Sequence, residues 1–334
     1  MTGPKPASRS SIFQLLKLSF GGSKAVELPL SCYGKLPIYR DFIRNQLAGA
    51  EAQAFKQWLD RGMSRHWEAQ DAAREYHFGA HALLLAFPGT GRAVLAFLWG
   101  SADNAGLRRF PFAFFVSIPA PRGSGSLGNL DALAQFARRA QGWRQDIDVF
   151  HDVESLVSSL RSRTVSLVLV DDEEAVRRLR DRLVDMTVGA FAESLYGERA
   201  AAQFPALLGW LAQHRRGGGS VPLAVRLPGS ALLPAVDQVE LWCALLRDER
   251  GQAPAPVNAL IPLEGDAGAG PVLLGRDPRA EDVLIFHPEM PGYELAEDWR
   301  RAGPAAGAQA SGWLQEHGDK PLAWLVENGA VGAR

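Results

Sequence analysis

The chain has 334 residues, 47% hydrophobic and 22% charged, with 36 Lys and Arg against 37 Asp and Glu. That composition excludes a disordered chain, and the near-zero charge balance excludes the strong basic footprint of a nucleic-acid binder. Cys32 and Cys243 lie far apart with no CxxC around either, which excludes a disulfide scaffold or zinc module and reads as two reduced thiols of a cytoplasmic protein.

In chain order, residues 1–26 carry Pro, Ser and Gly and read as a flexible N-terminal arm with one short amphipathic segment, Ile12–Phe20. Gln14 and Lys17 interrupt that segment and no A-x-A site follows, so it is not read as a signal peptide, and no apolar run reaches the ~18 residues of a membrane span. Phe55, Trp58, Leu59 and Met63 recur at helical spacing within Glu51–Trp67. His81–Phe87 and Ala93–Trp99 flank Pro88-Gly89-Thr90-Gly91, a hairpin pattern, and Phe110–Ile118 reads as a third strand of an antiparallel sheet. Asn129–Trp143 reads as a helix, followed by a helix at Val153–Leu160, a buried strand at Val165–Val170 and a helix from Glu173 to about Met186.

A further helix spans Phe204–Gln213 and runs into Arg215-Arg216-Gly217-Gly218-Gly219-Ser220, the strongest linker pattern in the chain. Beyond it come strand Pro222–Leu227, helix Gln238–Arg247, strand-like runs Asn258–Leu263, Pro271–Gly275 and Asp282–His287, and helices near Tyr293–Arg300 and near Trp313 and Trp324. Hairpins mixed with helices give an α+β class, an antiparallel sheet flanked by helices. The expected organisation is an arm (1–26), a first domain (27–216) and a second, smaller α/β domain (221–334).

Three patterns imitate chemical sites. Gly123-Ser-Gly125-Ser-Leu-Gly128 matches GxGxxG, but Pro119-Ala-Pro121-Arg122 separates it from the preceding strand, too early for a dinucleotide turn. Val165–Asp181 opens like a phospho-receiver, with Asp171 and Asp172 placed to hold Mg²⁺. No later strand ends in a phospho-accepting Asp, and Lys320 is the sole later lysine. A phospho- or metal-dependent signalling domain around these acids is the alternative reading; the simpler one has them charge the first turn of a helix. His77 and His81 have i, i+4 spacing, but Gly79 lies between them and no third ligand is evident. No GxSxG, HExxH or GxxxxGK[ST] occurs, so no catalytic, metal or cofactor residue is assigned.

Gly34-Lys35-Leu36-Pro37-Ile38-Tyr39-Arg40-Asp41-Phe42-Ile43-Arg44 resembles the opening signature of the TagF/ImpM family, G-K-[LM]-P-x-x-G-D-F-[VI]-x-R. Phe55-Lys56-Gln57-Trp58-Leu59 resembles the family's aromatic helix, and Ser101-Ala102-Asp103-Asn104-Ala105-Gly106-Leu107-Arg108-Arg109-Phe110-Pro111-Phe112 resembles its S-x-D-x-x-G-R-x-[FY]-P-[LF] block. Three departures stand out: Arg40 replaces a usual Gly, Trp58 is the single Trp of its block, and Leu107 is an extra residue before Arg108.

The resemblance implies a longin- or profilin-like module in a non-catalytic cytoplasmic regulator. Such proteins restrain type VI secretion after translation by engaging a forkhead-associated scaffold protein. The residues that carry it, as a binding or structural motif, are Gly34, Lys35, Pro37, Tyr39, Asp41, Phe42, Arg44, Ser101, Asp103, Arg108, Arg109, Phe110 and Pro111. Physically, Asp41 and Asp103 are expected partly buried and bonded to backbone N–H groups or an Arg, pinning two turns together.

Overall fold

Three apolar runs make the middle of one large sheet. In the computed structural model β4 (His81–Ala86), β5 (Arg92–Trp99) and β6 (Phe112–Pro119) are mutually antiparallel, with Leu83 opposite Ala96 and Leu95 opposite Val116. Gly89 and Gly91 take positive φ (76° and 63°) in the connection between β4 and β5, a conformation that suits glycine. The residues described are 23–69, 78–120, 127–147, 149–216, 224–247, 258–263, 270–286, 297–298 and 312–328.

Both faces of these strands are covered, which is why the runs are continuously apolar and not alternating. On one face Ala82, Leu84, Leu95, Phe97, Phe114 and Val116 pack in a core with Leu130, Leu133, Phe136 and Ala140 of the helix Leu127–Ile147. On the other, Leu83, Leu85, Val94, Leu98 and Phe115 pack with Phe55, Trp58, Leu59 and Met63 of α1 (Ala50–Ala69). The α+β class with an antiparallel sheet and flanking helices therefore holds.

The sheet does not stop at the first half of the chain. Its order is β11-β8-β10-β9-β4-β5-β6-β2-β3, where β2 is Ser31–Gly34, β3 Ile43–Asn45, β8 Val225–Arg226, β9 Asn258–Pro262, β10 Val272–Leu274 and β11 Glu297–Asp298. β9 lies beside β4 with Leu83 opposite Leu260, so strands from residues 221–334 continue the sheet of the first half. Every pair is antiparallel except β11 with β8.

Other expectations shift. Lys24–Pro29 (β1) is a strand, so residues 24–26 belong to the fold and not to an arm; residues 1–22 lie outside the described set. Its partner, β7 (Thr164–Leu169), was expected fully buried but alternates in burial, because this two-stranded ladder is covered on one side. Asp282–His287 was expected as a strand; Ala280–Phe286 is instead a 3₁₀ turn. The cause is Asp282, fully buried, which accepts from Arg279 N at 2.7 Å and from both terminal nitrogens of Arg276 at 2.8 and 2.5 Å, coiling the chain about its carboxylate.

The intervening helices are α2 (Leu127–Ile147), α3 (Val153–Arg161), α4 (Asp172–Leu183), α5 (Val188–Tyr196), α6 (Ala200–Arg216) and α7 (Ala235–Leu245). α5 was not anticipated; Thr187 caps it by accepting from Ala190 N at 3.2 Å. The region of Trp313 and Trp324 forms two short helices, Trp313–His317 (α8) and Ala323–Asn328 (α9). The helix expected near Tyr293–Arg300 lies outside the described residues, apart from the two of β11. No helix among the described residues is long and apolar enough to cross a membrane.

Candidate functional site: two loops locked by a buried ion pair

The two signature segments form adjoining loops at one end of the sheet. In the first, Pro37 occupies the second position of a turn closed by Tyr39 N donating to Leu36 O at 3.1 Å, where the fixed φ of proline suits the backbone. In the second, Asp103 folds the chain back on itself. Its carboxylate accepts from Leu107 N (3.1 Å), Arg108 N (3.3 Å) and Arg108 Nε (2.9 Å), while Gly106 sits at φ 68°. Phe110 N donates to Ser101 O at 2.9 Å and closes the loop's base.

Lys35 joins the two. It is 2% exposed, lies 3.7 Å from the Asp103 carboxylate, donates to Arg40 O at 3.2 Å and rests over the Phe42 ring at 4.8 Å. Asn104 N donates to Tyr39 O and Arg108 Nη2 to Arg40 O, at 3.3 and 3.4 Å. Beneath, Phe42 stacks on Tyr33 at 5.3 Å and meets Phe110 edge-on at 4.9 Å. The Tyr33 hydroxyl donates to Asp60 at 2.5 Å; burial first, then that acceptor, push its pKa up and keep it protonated. Gly34 lies so close to the second segment that a Cβ there would stand 2.2 Å from Pro111 O, at a φ of 142°.

The structure thus brings Gly34, Lys35, Tyr39, Phe42, Ser101, Asp103, Arg108, Phe110 and Pro111 into one assembly, with Pro37 shaping its first turn. Arg44 is exposed on β3, its guanidinium 6.0 Å from the Phe42 ring, and Arg109 is exposed beside Phe110, in a bridge with Ala102. Asp103 meets the expectation: it is 3% exposed and fully bonded. Asp41 does not. Among the described residues its exposed carboxylate accepts only from the adjoining Phe42 N at 2.8 Å, so there it orders its own turn and not the gap between loops. The anticipated Asp–Arg pair between loops is replaced by Lys35 and the carbonyls of Tyr39 and Arg40.

Burial opposes ionisation of Asp103, yet the N–H groups of Arg108 and Leu107, the Arg108 guanidinium and Lys35 hold its carboxyl below the usual carboxylate range. The stabilisation it lends is therefore present above the unfolded-state carboxyl pKa and is lost as pH falls through the depressed folded value. Asp103→Ala should loosen both loops at once, by leaving Lys35 buried without its carboxylate. Hydrogen exchange would show it as faster exchange at Asn104 and Leu107 with the central strands unchanged; unchanged exchange at both would contradict the lock.

The imitative sites resolve into structural contacts. Asp171 caps α4, accepting from Glu174 N at 2.9 Å. Asp172 accepts from Gly128 N at 3.1 Å, so the first turn of α2 at the end of the GxGxxG run is met by the chain's own carboxylate. Gly128 is required sterically: a Cβ would stand 2.2 Å from Val170 O. The strand before Asp171 belongs to the antiparallel β1–β7 ladder, so the central parallel strand of a receiver is not built there. Residues 121–126 and His77 lie outside the described residues.

His81 opens a strand, buried against Phe78 and Phe286 with Nδ1 2.9 Å from Gly79 O; burial pushes its pKa down to about 4, so it stays neutral. Cys32 and Cys243 are free and buried, and desolvation drives the Cys32 thiol up to about 12. Among the described residues no group of three or more His, Cys, Asp or Glu is placed to hold a metal ion.

Sequence reasoning missed a second buried polar assembly between α2, α4 and α7. Arg182 faces Asp131 at 3.4 Å, Asp237 at 3.3 Å and Glu240 in close contact, while Arg178 meets Asp131 at 3.2 Å. The available signal was the helix Ala235–Leu245, apolar on nearly every side yet carrying Asp237, Gln238 and Glu240.

The locked loops, the central hairpin and the aromatic helix beneath them all lie within a segment that matches a known domain. Residues 31–162 match the TagF N-terminal domain, type VI secretion system-associated. The match includes both loops and continues through α2 and α3. No curated protein matches the chain. Among solved structures, the crystal structure of PA0076 from Pseudomonas aeruginosa PAO1 is similar at 23% identity over 39% of this chain and 60% of that one, with a TM-score of 0.32. The chain thus aligns with less than two thirds of that relative's length.

Proposed function

We propose that this protein is a non-catalytic cytoplasmic regulator of type VI secretion that restrains the apparatus after translation by binding one of its proteins, a forkhead-associated scaffold being the expected partner. The observation that carries this reading is the loop pair within the TagF N-terminal domain. A buried Lys35–Asp103 pair holds rigid a surface that presents Tyr39, Arg44, Leu107 and Arg109 outward. Binding residues set on loops over a rigid scaffold lose little entropy on association. Asp171 and Asp172, the acids of the alternative signalling reading, accept backbone N–H groups at the starts of α4 and α2, which favours the binding reading over it.

In a host with a type VI system, overproduction should lower the needle subunit in the culture supernatant while leaving its level in whole cells unchanged. Arg44→Glu or Arg109→Glu should weaken that effect in a protein that melts like the parent, since both side chains are exposed. Normal secretion at high levels of folded protein would leave the regulator reading without support.

A further inference from the structure

The loop pair carries a charge that the whole chain does not. Residues 34–44 and 101–111 hold five cations, Lys35, Arg40, Arg44, Arg108 and Arg109, against two anions, Asp41 and Asp103, in a chain whose net charge is −1. Lys35 and Asp103 neutralise one another in the interior, so the outward face has four arginines and one carboxylate. Leu107 is 84% exposed and Tyr39 39% exposed, on loops joined by the Asn104 N–Tyr39 O bond. Leu107 is also held: its own N–H is bound to Asp103 Oδ1 at 3.1 Å, which fixes the backbone from which the side chain projects.

Resting on the regulator reading, we propose that this face receives an acidic segment of a partner protein that carries an apolar residue among its carboxylates. The apolar residue seats against Leu107 and Tyr39, and the carboxylates meet Arg40, Arg44 and Arg109. Guanidinium groups present paired, planar donors that match carboxylates bidentately, and they shed water more readily than ammonium groups. Arg108 is already half engaged, through Nε to Asp103 and Nη2 to Arg40 O, and serves to hold the surface. Attraction from so small a group of charges acts within about one Debye length, ~8–10 Å, and helps fix partner and register. A nucleic acid would need a basic surface of wider extent than these two loops supply. A bilayer would gain little from two apolar side chains.

The test uses the full chain and a fluorescein-labelled peptide of repeated Glu-Leu-Asp-Glu units, read by anisotropy. The glutamine-and-asparagine version of the peptide and vesicles of phosphatidylcholine with phosphatidylserine serve as the other probes. The acidic peptide should bind, weaken about tenfold in Arg44→Glu/Arg109→Glu, and weaken strongly between about 0.05 M and about 0.5 M salt. Leu107→Ser should weaken it with the salt dependence kept. Equal binding of the amide peptide, or indifference to the charge reversal in a folded variant, would overturn the proposal, as would vesicle binding without peptide binding. The secretion assay separates the two readings. Restraint of secretion that survives the charge reversal sinks this surface and spares the regulator. Peptide binding that the reversal abolishes, with secretion untouched by the parent protein, sinks the regulator and spares the surface.

Discussion

A chain cut after Arg216 is expected to lose cooperative folding, although it retains the whole TagF N-terminal domain at residues 31–162. The cut removes β9, which runs along β4, and so leaves a central strand of an apolar sheet as an unpaired edge. It also removes the cover from the α1 face. Trp58 Nε1 donates to Arg279 O at 2.7 Å, and a Cβ on Gly62 would stand 2.2 Å from Val283, so helix and 3₁₀ turn are in direct contact. Leu260, Ile261, Leu273, Leu274, Val283 and Phe286 are all buried. At roughly 2 kcal/mol for each such side chain, their loss is comparable with the entire ~5–15 kcal/mol by which a native domain exceeds its unfolded state. On the opposite face the cut also strips α7, whose Leu241 and Trp242 belong to the other core. The truncated chain should show weak near-ultraviolet circular dichroism, poor amide dispersion and no sharp melt. A sharp melt close to that of the full chain would mean that residues 221–334 are a separable domain after all.

That outcome bears on what the sequence could disclose. The hairpin around Pro88–Gly91 and the strand after it were legible because local turn chemistry and long apolar runs agree, and both faces of those strands are in fact buried. Strand order was not legible. Nothing within Asn258–Pro262 says that its neighbour is His81–Ala86, since pairing between distant segments leaves no local mark. The run Asp282–Phe286 has a strand's composition, and its coiling depends on an aspartate whose arginine partner is visible only in three dimensions. The motif residues named from the sequence mostly lie together in the two loops, but their structural contacts are distributed differently from those expected. Nothing local to Lys35 marks it as buried; its burial follows from Asp103, far along the chain. Asp41 reads as the equal of Asp103 and is exposed, because its loop is closed from the other side through the carbonyls of Tyr39 and Arg40.

Glu240→Gln is expected to make the protein more stable than the parent above about pH 8 and to flatten its stability against pH. Glu240 is 1% exposed within α7; its Oε2 meets Arg182, and its Oε1 has no hydrogen-bond partner among the described residues. Arg182 is shared with Asp131 and Asp237, so three acids compete for one guanidinium, and among the described residues only Asp131 is in direct contact with a further arginine, Arg178. Arg138 adds a favourable field at Asp237 without reversing its upward shift, which burial causes first. At Glu240 burial is again the largest cause, and with the neighbouring acids it outweighs Arg182, so the carboxyl is pushed up to about 8. The group's ordinary pKa of about 4.3 applies in the unfolded chain, so between those values the folded state holds a proton that the unfolded state has released. Stability from this group is therefore complete below the unfolded value and falls as pH rises toward about 8. The loss across that range is on the order of a few kcal/mol. Glutamine keeps the shape and carries no charge to desolvate. Denaturant melts from pH 5 to pH 9 should show the parent losing stability with rising pH and the variant holding level, the curves crossing on the way. The Arg182→Met variant should steepen the parent's decline, because ionised Asp237 and Glu240 then face one another without their shared cation. If Glu240→Gln is instead weakest at pH 9, the ionised carboxylate and Arg182 form a net stabilising pair, and the burial argument fails.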